Sequence, residues 1–206
     1  DLREPVITGL TRAESWRRLQ LERFGRLLKE HEGEVIDALS KDLGKPPTEA
    51  LFEIIALRQE LKLAQKLLTR WMRPKRVQVP ISLKPGEAMV RLEPLGCVLI
   101  IGPWNYPFSL TLQPLVSALA AGNTAVLKPS EQAPATSELI AKLIPKHLPH
   151  EVVQVVQGDG TIAEALLEQH FDHIFFTGGG TIGKKVMEAA SKHLTPVTLE
   201  LGGKSP

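Results

Sequence analysis

The chain has 206 residues, which fits one large domain, or one domain and part of another. Hydrophobic residues make up 43% of it and charged residues 23%, so the composition is globular and excludes a disordered, collagenous or coiled-coil protein. The net charge of +2 gives no electrostatic reason to expect a nucleic-acid partner. Cys97 is the only cysteine, which excludes an internal disulfide framework and a multi-cysteine metal site. No metal site is predicted.

The N-terminus predicts a cytoplasmic protein. The chain begins Asp-Leu-Arg-Glu-Pro, without a basic segment followed by an apolar run, so no secretory signal is visible. Residues 95–127 carry no charge and are long enough to cross a bilayer. Prolines, glycines and asparagines interrupt them, however, and a buried strand, a loop and a buried helix accommodate those residues without exposing polar groups to lipid. No membrane segment is predicted.

The first third of the chain has a helical pattern. Thr11-Arg-Ala-Glu14 reads as a capping box, which predicts a helix running towards Asp42 and ending before Gly44. A second helix is predicted from about Thr48, with apolar residues at a period near 3.6. Its predicted apolar face consists of Leu51, Ile54, Ile55, Leu61, Leu68 and Trp71. Both helices are interpreted as a scaffold without chemistry.

From residue 76 the apolar period changes to two, which predicts a β-hairpin. Val77, Val79 and Ile81 alternate with polar residues, residues 82–86 turn the chain, and a second alternating run follows over residues 88–92. Because an isolated two-stranded ribbon is marginal in water, the hairpin should lie against another sheet, another subunit or the core of its own chain.

After residue 93, short β-rich runs alternate with stretches of helix-compatible sequence. The predicted strands are residues 97–101, 124–127, 152–156, 173–176 and 197–201. This alternation predicts a Rossmann-like α/β fold: a doubly wound parallel sheet, with N-terminal helices and a protruding hairpin. The predicted organisation is a helical part (1–75), the hairpin (76–93) and a nucleotide-binding core (94–206). Ligands bind such sheets beyond the carboxyl ends of the strands.

A glycine loop follows the fourth predicted strand. The spacing Gly178-x-Gly180-x-x-Gly183 matches the dinucleotide-binding fingerprint, and Glu200 stands about twenty residues further on. That fingerprint belongs, however, in the first strand-to-helix turn. Read as Gly178-x4-Gly183-Lys184, the loop also comes close to a phosphate-binding P-loop, but Lys185 stands where a serine or threonine must bind magnesium. A plain glycine turn into a helix would also give this spacing.

Four motifs together carry a family resemblance. They are Gly102-Pro-Trp-Asn-Tyr-Pro-Phe108, Leu127-Lys-Pro-Ser-Glu131, Phe176-Thr-Gly-Gly-Gly-Thr-Ile-Gly183 and Leu199-Glu-Leu-Gly-Gly-Lys-Ser-Pro206. In this order and spacing they resemble the aldehyde dehydrogenase superfamily over essentially the entire chain. The segment from His193 to Pro206, which contains the last motif, and the short segment before Thr11 look most like the class 3 branch, which acts on fatty or aromatic aldehydes. The resemblance implies NAD(P)-dependent oxidation of an aldehyde to a carboxylic acid through a cysteine thiohemiacetal and a thioester.

The resemblance also implies two catalytic residues. Asn105 matches the amide that stabilises the oxyanion of the tetrahedral adduct, although an asparagine here can also cap the following helix. Glu200 matches the general base that activates the hydrolytic water, and its neighbours Leu199 and Leu201 are expected to raise its pKa by desolvation. The fingerprint reading would instead make Glu200 a ribose ligand.

The implied cofactor contacts lie in the same loops. They are Trp104, Lys128, Ser130, Glu131, Gly178, Gly179, Gly180, Thr181, Ile182, Gly183 and Leu201. A carboxylate at Glu131 accepts bonds from ribose hydroxyls and repels a 2′-phosphate, so NAD is favoured, with NADP also possible. The Lys-Pro-Ser-Glu turn can alternatively be a plain helix start with a helpful acid. Relatives usually carry a polar side chain where this chain has Gly179.

The family's nucleophilic cysteine follows the Glu-Leu-Gly-Gly motif, so it is expected beyond Pro206. Cys97 lies in a predicted apolar strand and is interpreted as a buried structural cysteine. The alternatives are a complete, non-catalytic nucleotide-binding or assembly module, and a relative that reduces an acyl-CoA or acyl-phosphate. The presence of both Asn105 and Glu200 favours the oxidising branch. The hairpin matches the segment through which family subunits associate, so a homodimer is expected.

Overall fold

The computed structural model describes residues 2–203, whose N-terminal part is a set of helices. These are α1 (Glu4–Ile7), α2 (Glu14–Glu30), α3 (Glu32–Leu43) and α4 (Pro47–Met72). The predicted single helix from Thr11 to Asp42 is wrong, because the chain breaks at His31 and α3 turns to pack against a later helix. Gly44 ends α3 in the left-handed conformation, and the start predicted for the next helix is correct within one residue.

The predicted capping box does not form. Thr11 lies in a short 3₁₀ turn, Leu10–Arg12, and Ala13 is the residue that precedes α2, without a side-chain cap. The Glu14 carboxylate instead accepts bonds from Arg18 (2.8 Å) and from the Thr69 hydroxyl (2.6 Å) of α4. The box cannot form because α2 begins at Glu14 itself, which leaves Thr11 three residues before the helix, and the carboxylate bonds within α2 and to α4 instead.

The apolar face predicted for α4 is largely confirmed. Ile54, Leu61 and Leu68 are buried, whereas Leu51 and Ile55 are only partly buried. Trp71, at the end of the helix, is 39% exposed.

The centre of the molecule is a parallel five-stranded sheet, as predicted. Its strands are β3 (Cys97–Ile101), β4 (Thr124–Lys128), β5 (Val153–Val155), β6 (His173–Gly178) and β7 (Val197–Leu201). The connecting helices are α5 (Ser109–Ala121), α6 (Pro134–His147), α7 (Gly160–Leu167) and α8 (Gly180–Ser191). The spatial order is β5-β4-β3-β6-β7, and every pair is parallel. Each strand ends within two residues of its predicted bounds.

Alternate residues of β3 face two separate cores, as the strand period requires. Val98 and Ile100 pack into the larger core, which helices α2 to α6 cover. Leu99 and Ile101 face the smaller core beneath α7 and α8. Helices therefore cover both faces of the sheet, so the prediction of a doubly wound fold is confirmed.

The hairpin is present but shorter than predicted. Its strands are β1 (Lys75–Val77) and β2 (Ala88–Val90), which pair antiparallel with Val77 opposite Ala88. Val79 lies outside the ladder, and Ile81 begins a 3₁₀ turn and is 91% exposed. The ladder ends at Val77, and Pro80, which has no N–H to donate, stands between Val79 and Ile81 and disfavours a strand that continues through them.

The predicted boundaries between the helical part, the hairpin and the core, after residues 75 and 93, remain predictions. Residues 204–206 of the predicted core lie outside the residues that the structure describes. Across residues 2–203, no helix is both long and apolar enough to cross a membrane.

Candidate functional site

The cleft of this molecule lies where the strand order reverses. β3 and β6 are neighbours in the sheet, yet β3 leads into α5 on one face and β6 into α8 on the other. Such a switch point opens a crevice at the carboxyl edge of a parallel sheet. Here the crevice has a volume of about 1360 Å³. Its lining includes Trp104, Asn105, Lys128, Ser130, Glu131, Gly178, Gly179, Gly180, Ile182, Glu200 and Leu201. Of the predicted site residues, Thr181 and Gly183 lie outside this lining.

The loop after β3 presents Asn105 to the cleft. The side-chain amide oxygen of Asn105 accepts a hydrogen bond from the backbone N–H of Tyr106 (3.1 Å). This bond occupies the oxygen of the amide and not its NH₂ group. Asn105 does not cap α5. The first amides of that helix, at Phe108 and Ser109, donate instead to one oxygen of Glu53, at 3.1 and 2.8 Å. The helix-capping alternative for Asn105 is therefore removed.

A buried ion pair holds this loop from below. The Lys45 ammonium lies 2.7 Å from Glu53 Oε1, and the two side chains are only 7% and 1% exposed. The ammonium also donates to the backbone carbonyl of Asn105 (2.9 Å) and sits 3.9 Å above the Tyr106 ring, a cation–π contact. One buried charge pair thus fixes the backbone at Asn105 and in the residues directly after it, at Phe108 and Ser109.

The sequence interpretation missed this pair, because it treated the N-terminal helices as scaffold alone. One signal was present. Glu53 lies between Ala50 and Leu57 on the apolar face of α4, and an ionised residue there requires a buried partner. The identity of that partner, on the loop before the helix, does not follow from periodicity.

The turn after β4 carries Lys128 and Glu131. Lys128 Nζ lies 2.6 Å from Glu131 Oε2, with the lysine side chain 4% exposed and the glutamate 42% exposed. Burial alone would raise the pKa of Glu131, but hydrogen bonds from Lys128 and the backbone outweigh it and hold the pKa below its usual value. The Ser130 hydroxyl accepts a bond from Gln132 N–H (3.2 Å). The turn therefore presents an ionised carboxylate at the cleft.

The helix-start alternative for this turn is not supported. The amides of Ala135 and Thr136 at the beginning of α6 donate to the carboxylate of Asp42, at 2.9 and 2.7 Å. Glu131 is therefore not needed as a cap. Like Glu53, Asp42 comes from an N-terminal helix and caps a helix of the sheet domain, a contact that local sequence does not reveal.

The glycines of the loop between β6 and α8 have two different roles: one allows close packing, and two leave the backbone open to the cleft. At Gly183 a Cβ would lie 2.9 Å from Leu201 Cδ2, so glycine lets α8 approach β7 closely. At Gly179 and Gly180 a Cβ would meet nothing within 4 Å, and Gly179 gives α8 no side-chain cap. The first turn of α8 therefore offers backbone amides and the positive end of the helix dipole to the cleft, which is how helices bind phosphate. The dinucleotide-binding fingerprint belongs after the first strand of such a sheet. This loop follows the fourth strand in chain order, so the match to the fingerprint spacing does not carry that role here.

Glu200 stands near the end of β7, opposite Thr177 of β6. Its side chain is exposed, Leu199 is partly buried, and Leu201 is 46% exposed. The expected apolar enclosure of the carboxylate is therefore absent within residues 2–203. Water can reach the group directly.

Cys97 is 5% exposed and lies inside β3. Burial raises the pKa of its thiol, despite an opposing hydrogen bond involving Thr124. A thiol held in its protonated form is a poor nucleophile, so the interpretation as a structural cysteine is confirmed.

A doubly wound α/β fold with these loops at its switch point defines the class of protein, and the comparisons identify the family. The model of the aldehyde dehydrogenase family matches residues 11–206. The chain belongs to the aldehyde dehydrogenase family. The predicted likeness to the class 3 branch is also confirmed. The chain is 48% identical over 207 residues to aldehyde dehydrogenase family 3 member H1 of Arabidopsis thaliana, covering 100% of this chain and 43% of that protein. It is 47% identical over 206 residues to family 3 member B1 of Homo sapiens, covering 100% and 44%.

Solved structures agree with this assignment. The substrate-bound AldH of Staphylococcus aureus superposes with a TM-score of 0.96 and 40% identity, over 100% of this chain and 45% of that one. Indole-3-acetaldehyde dehydrogenase in its apo form gives a TM-score of 0.85 and 32% identity, over 99% and 48%. The chain thus spans less than half the length of these relatives.

Proposed function

We propose that the protein containing this chain oxidises an aldehyde to a carboxylic acid with a nicotinamide cofactor, and that this chain supplies the cofactor-binding part. The observation that carries the proposal is the convergence, in one cleft, of Asn105, Glu200, the Lys128–Glu131 pair and the uncapped start of α8. Each of these features meets a separate demand of the reaction.

The residues present fit a dinucleotide. The open amides at Gly179 and Gly180 suit a pyrophosphate, and the carboxylate of Glu131 suits the hydroxyls of a ribose. Trp104, Ser130, Thr181, Ile182 and Leu201 are proposed as further contacts. Because the pKa of Glu131 is lowered, its charge repels a 2′-phosphate, and we propose NAD over NADP. When bound, the cofactor accepts the hydride of the substrate.

Asn105 is proposed as the oxyanion donor. When a cysteine thiolate from outside this chain adds to the aldehyde carbonyl, charge develops on the carbonyl oxygen, and a preorganised amide N–H stabilises it. Loss of such a donor raises the barrier by about 2.7 to 4 kcal/mol. Lys45 supports this role by fixing the Asn105 backbone.

Glu200 is proposed as the general base of the hydrolytic step. It would take a proton from the water that attacks the thioester, which releases the carboxylic acid and restores the thiol. The exposure of its side chain supports access by that water. The intact protein would complete the surroundings that tune its basicity.

The hairpin supports a proposed homodimer. Its strands are exposed, and Val77, Met89 and Val90 carry about half their surface to solvent. A two-stranded ribbon with exposed apolar residues gains stability by pairing with a partner subunit. We also propose a cytoplasmic location, with which the free thiol of Cys97 is compatible.

Aldehyde-dependent formation of NADH by the intact protein tests the proposal. We expect turnover with apolar aldehydes and a fall in kcat of about 10²- to 10³-fold in Asn105→Ala, with the Kd for NAD unchanged. NAD binding without any turnover would instead indicate a nucleotide-binding module. Unchanged kcat in the variant would refute the role of Asn105.

A further inference from the structure

Two histidines that are far apart in the chain meet at the edge of the molecule away from the cleft. His31 links α2 to α3, and His147 is the last residue of α6. Their Nε2 atoms lie 3.1 Å apart, although 116 positions separate them in sequence. Both side chains are largely buried, with 18% and 12% exposed. Because α6 starts beside the carboxyl end of β4 and has 14 residues, this pair lies about 21 Å from the carboxyl edge of the sheet, where the cleft opens.

A carboxylate stands beside the two imidazoles. Glu30, the last residue of α2, places Oε2 3.9 Å from His147 Nε2. The three potential donor atoms all lie within 4.8 Å of one another. Bonds of about 2.0 to 2.2 Å to a tetrahedral zinc ion separate its ligand atoms by about 3.4 Å. The observed separations of 3.1 and 3.9 Å lie on either side of that value.

The surroundings orient the imidazole of His31. Its Nδ1 lies 2.6 Å from Glu34 Oε1, so the Nε2 lone pair faces His147 when Nδ1 carries the proton. A carboxylate on the far nitrogen of a histidine ligand is the usual outer partner of a protein metal site. Glu34 also pairs with Lys142 of α6 at 2.7 Å, which joins the same helices.

We propose that Glu30, His31 and His147 form a zinc-binding site that clamps the α2–α3 junction to the end of α6. Two imidazoles and one carboxylate favour zinc or a similar borderline transition metal over magnesium or calcium, which prefer oxygen ligands. Arg26 and Lys146 act electrostatically on His147 and oppose cation binding, so the affinity is expected to be moderate. The fourth coordination position is left for water.

Zinc titration of the chelator-treated intact protein tests the site. We expect His147→Asn to bind one zinc equivalent fewer than the wild type, or to bind it at least about tenfold more weakly. His150→Asn is the matched control, since His150 is an exposed histidine three positions further along, and it should bind as the wild type does. Equal stoichiometry and affinity in the wild type and His147→Asn would overturn the proposal.

A second variant keeps the test independent of folding. Glu30 is 56% exposed, so Glu30→Gln should fold normally and still bind zinc more weakly. Zinc should also raise the melting temperature of the wild type and of His150→Asn, but not that of His147→Asn, because a ligand that binds only the folded state stabilises it. Cobalt substitution separates this site from cysteine binding. A spectrum containing only a thiolate-to-cobalt charge-transfer band, unchanged in His147→Asn, would contradict the proposal.

Discussion

The buried pair beneath the Asn105 loop yields the sharpest prediction. Glu53→Gln keeps the shape of the side chain but removes its charge, which leaves the Lys45 ammonium buried without a counter-ion. Breaking one side of a buried ion pair destabilises a protein by about 3 to 5 kcal/mol. In a domain of this size that unfolds as its own unit within the intact protein, each kcal/mol shifts the melting temperature by about 2 to 4 °C. We therefore expect Glu53→Gln to melt about 6 to 20 °C lower than the wild type.

The same pair links stability to catalysis. Lys45→Met removes the donor to the Asn105 carbonyl, so the loop loses its anchor while α5 keeps its cap on Glu53. We expect kcat to fall more than the KM for NAD rises, because the oxyanion donor loses its fixed position. Lys45→Met combined with Glu53→Gln should be more stable than the sum of the single changes, since no uncompensated buried charge remains.

Thermal unfolding of the intact protein and steady-state NADH formation are the assays. Glu49→Gln, an exposed position in the first turn of the same helix, is the control and should change stability by no more than about 0.5 kcal/mol. If Glu53→Gln melted within 2 °C of this control, a value below the expected range of about 6 to 20 °C, the reasoning on the buried pair would be refuted.

Three further predictions follow from the cleft and its supports. Glu131→Gln should raise kcat/KM for NADP relative to NAD, and an unchanged ratio would contradict the ribose role. Gly183→Ala, whose Cβ would lie 2.9 Å from a leucine of β7, should lose about 1 to 3 kcal/mol of stability, whereas Gly179→Ala should melt like the wild type. Hydrogen bonds from Lys142 and His31 lower the pKa of Glu34 from 4.5 to about 2. Its stabilising effect is therefore present above pH 4.5 and is lost as the pH falls towards 2, so Glu34→Gln should flatten the melting-temperature profile in that window, and an unchanged profile would count against the pairing.

The fold was predictable because its signals are local. Alternating β-rich and helical runs defined the five parallel strands, and polar or glycine residues at their carboxyl ends identified the loops that line the cleft. Part of the overestimate of the hairpin has a local cause, since Pro80 interrupts an otherwise regular alternation and disfavours a strand that reaches Ile81. That proline was the available warning against the longer strands.

The supports of the site were not predictable, because they depend on contacts between distant segments. Glu53 and Asp42 cap α5 and α6 from other helices, at separations of 55 and 93 positions or more. Glu14 forms no capping box because α2 begins at Glu14 itself, so Thr11 does not precede the helix directly, and the carboxylate bonds to Thr69 of α4. The contact between His31 and His147 arises in the same way. Periodicity shows which face of a helix is buried but not which residue it meets.

A crystal structure of the intact protein with bound NAD tests the central claim most directly. We predict the pyrophosphate against the amides at the start of α8, near Gly179 and Gly180, with a ribose hydroxyl bonded to Glu131. The nicotinamide should lie between Asn105 and Glu200. A cofactor bound elsewhere, or a nicotinamide turned away from both residues, would contradict the account.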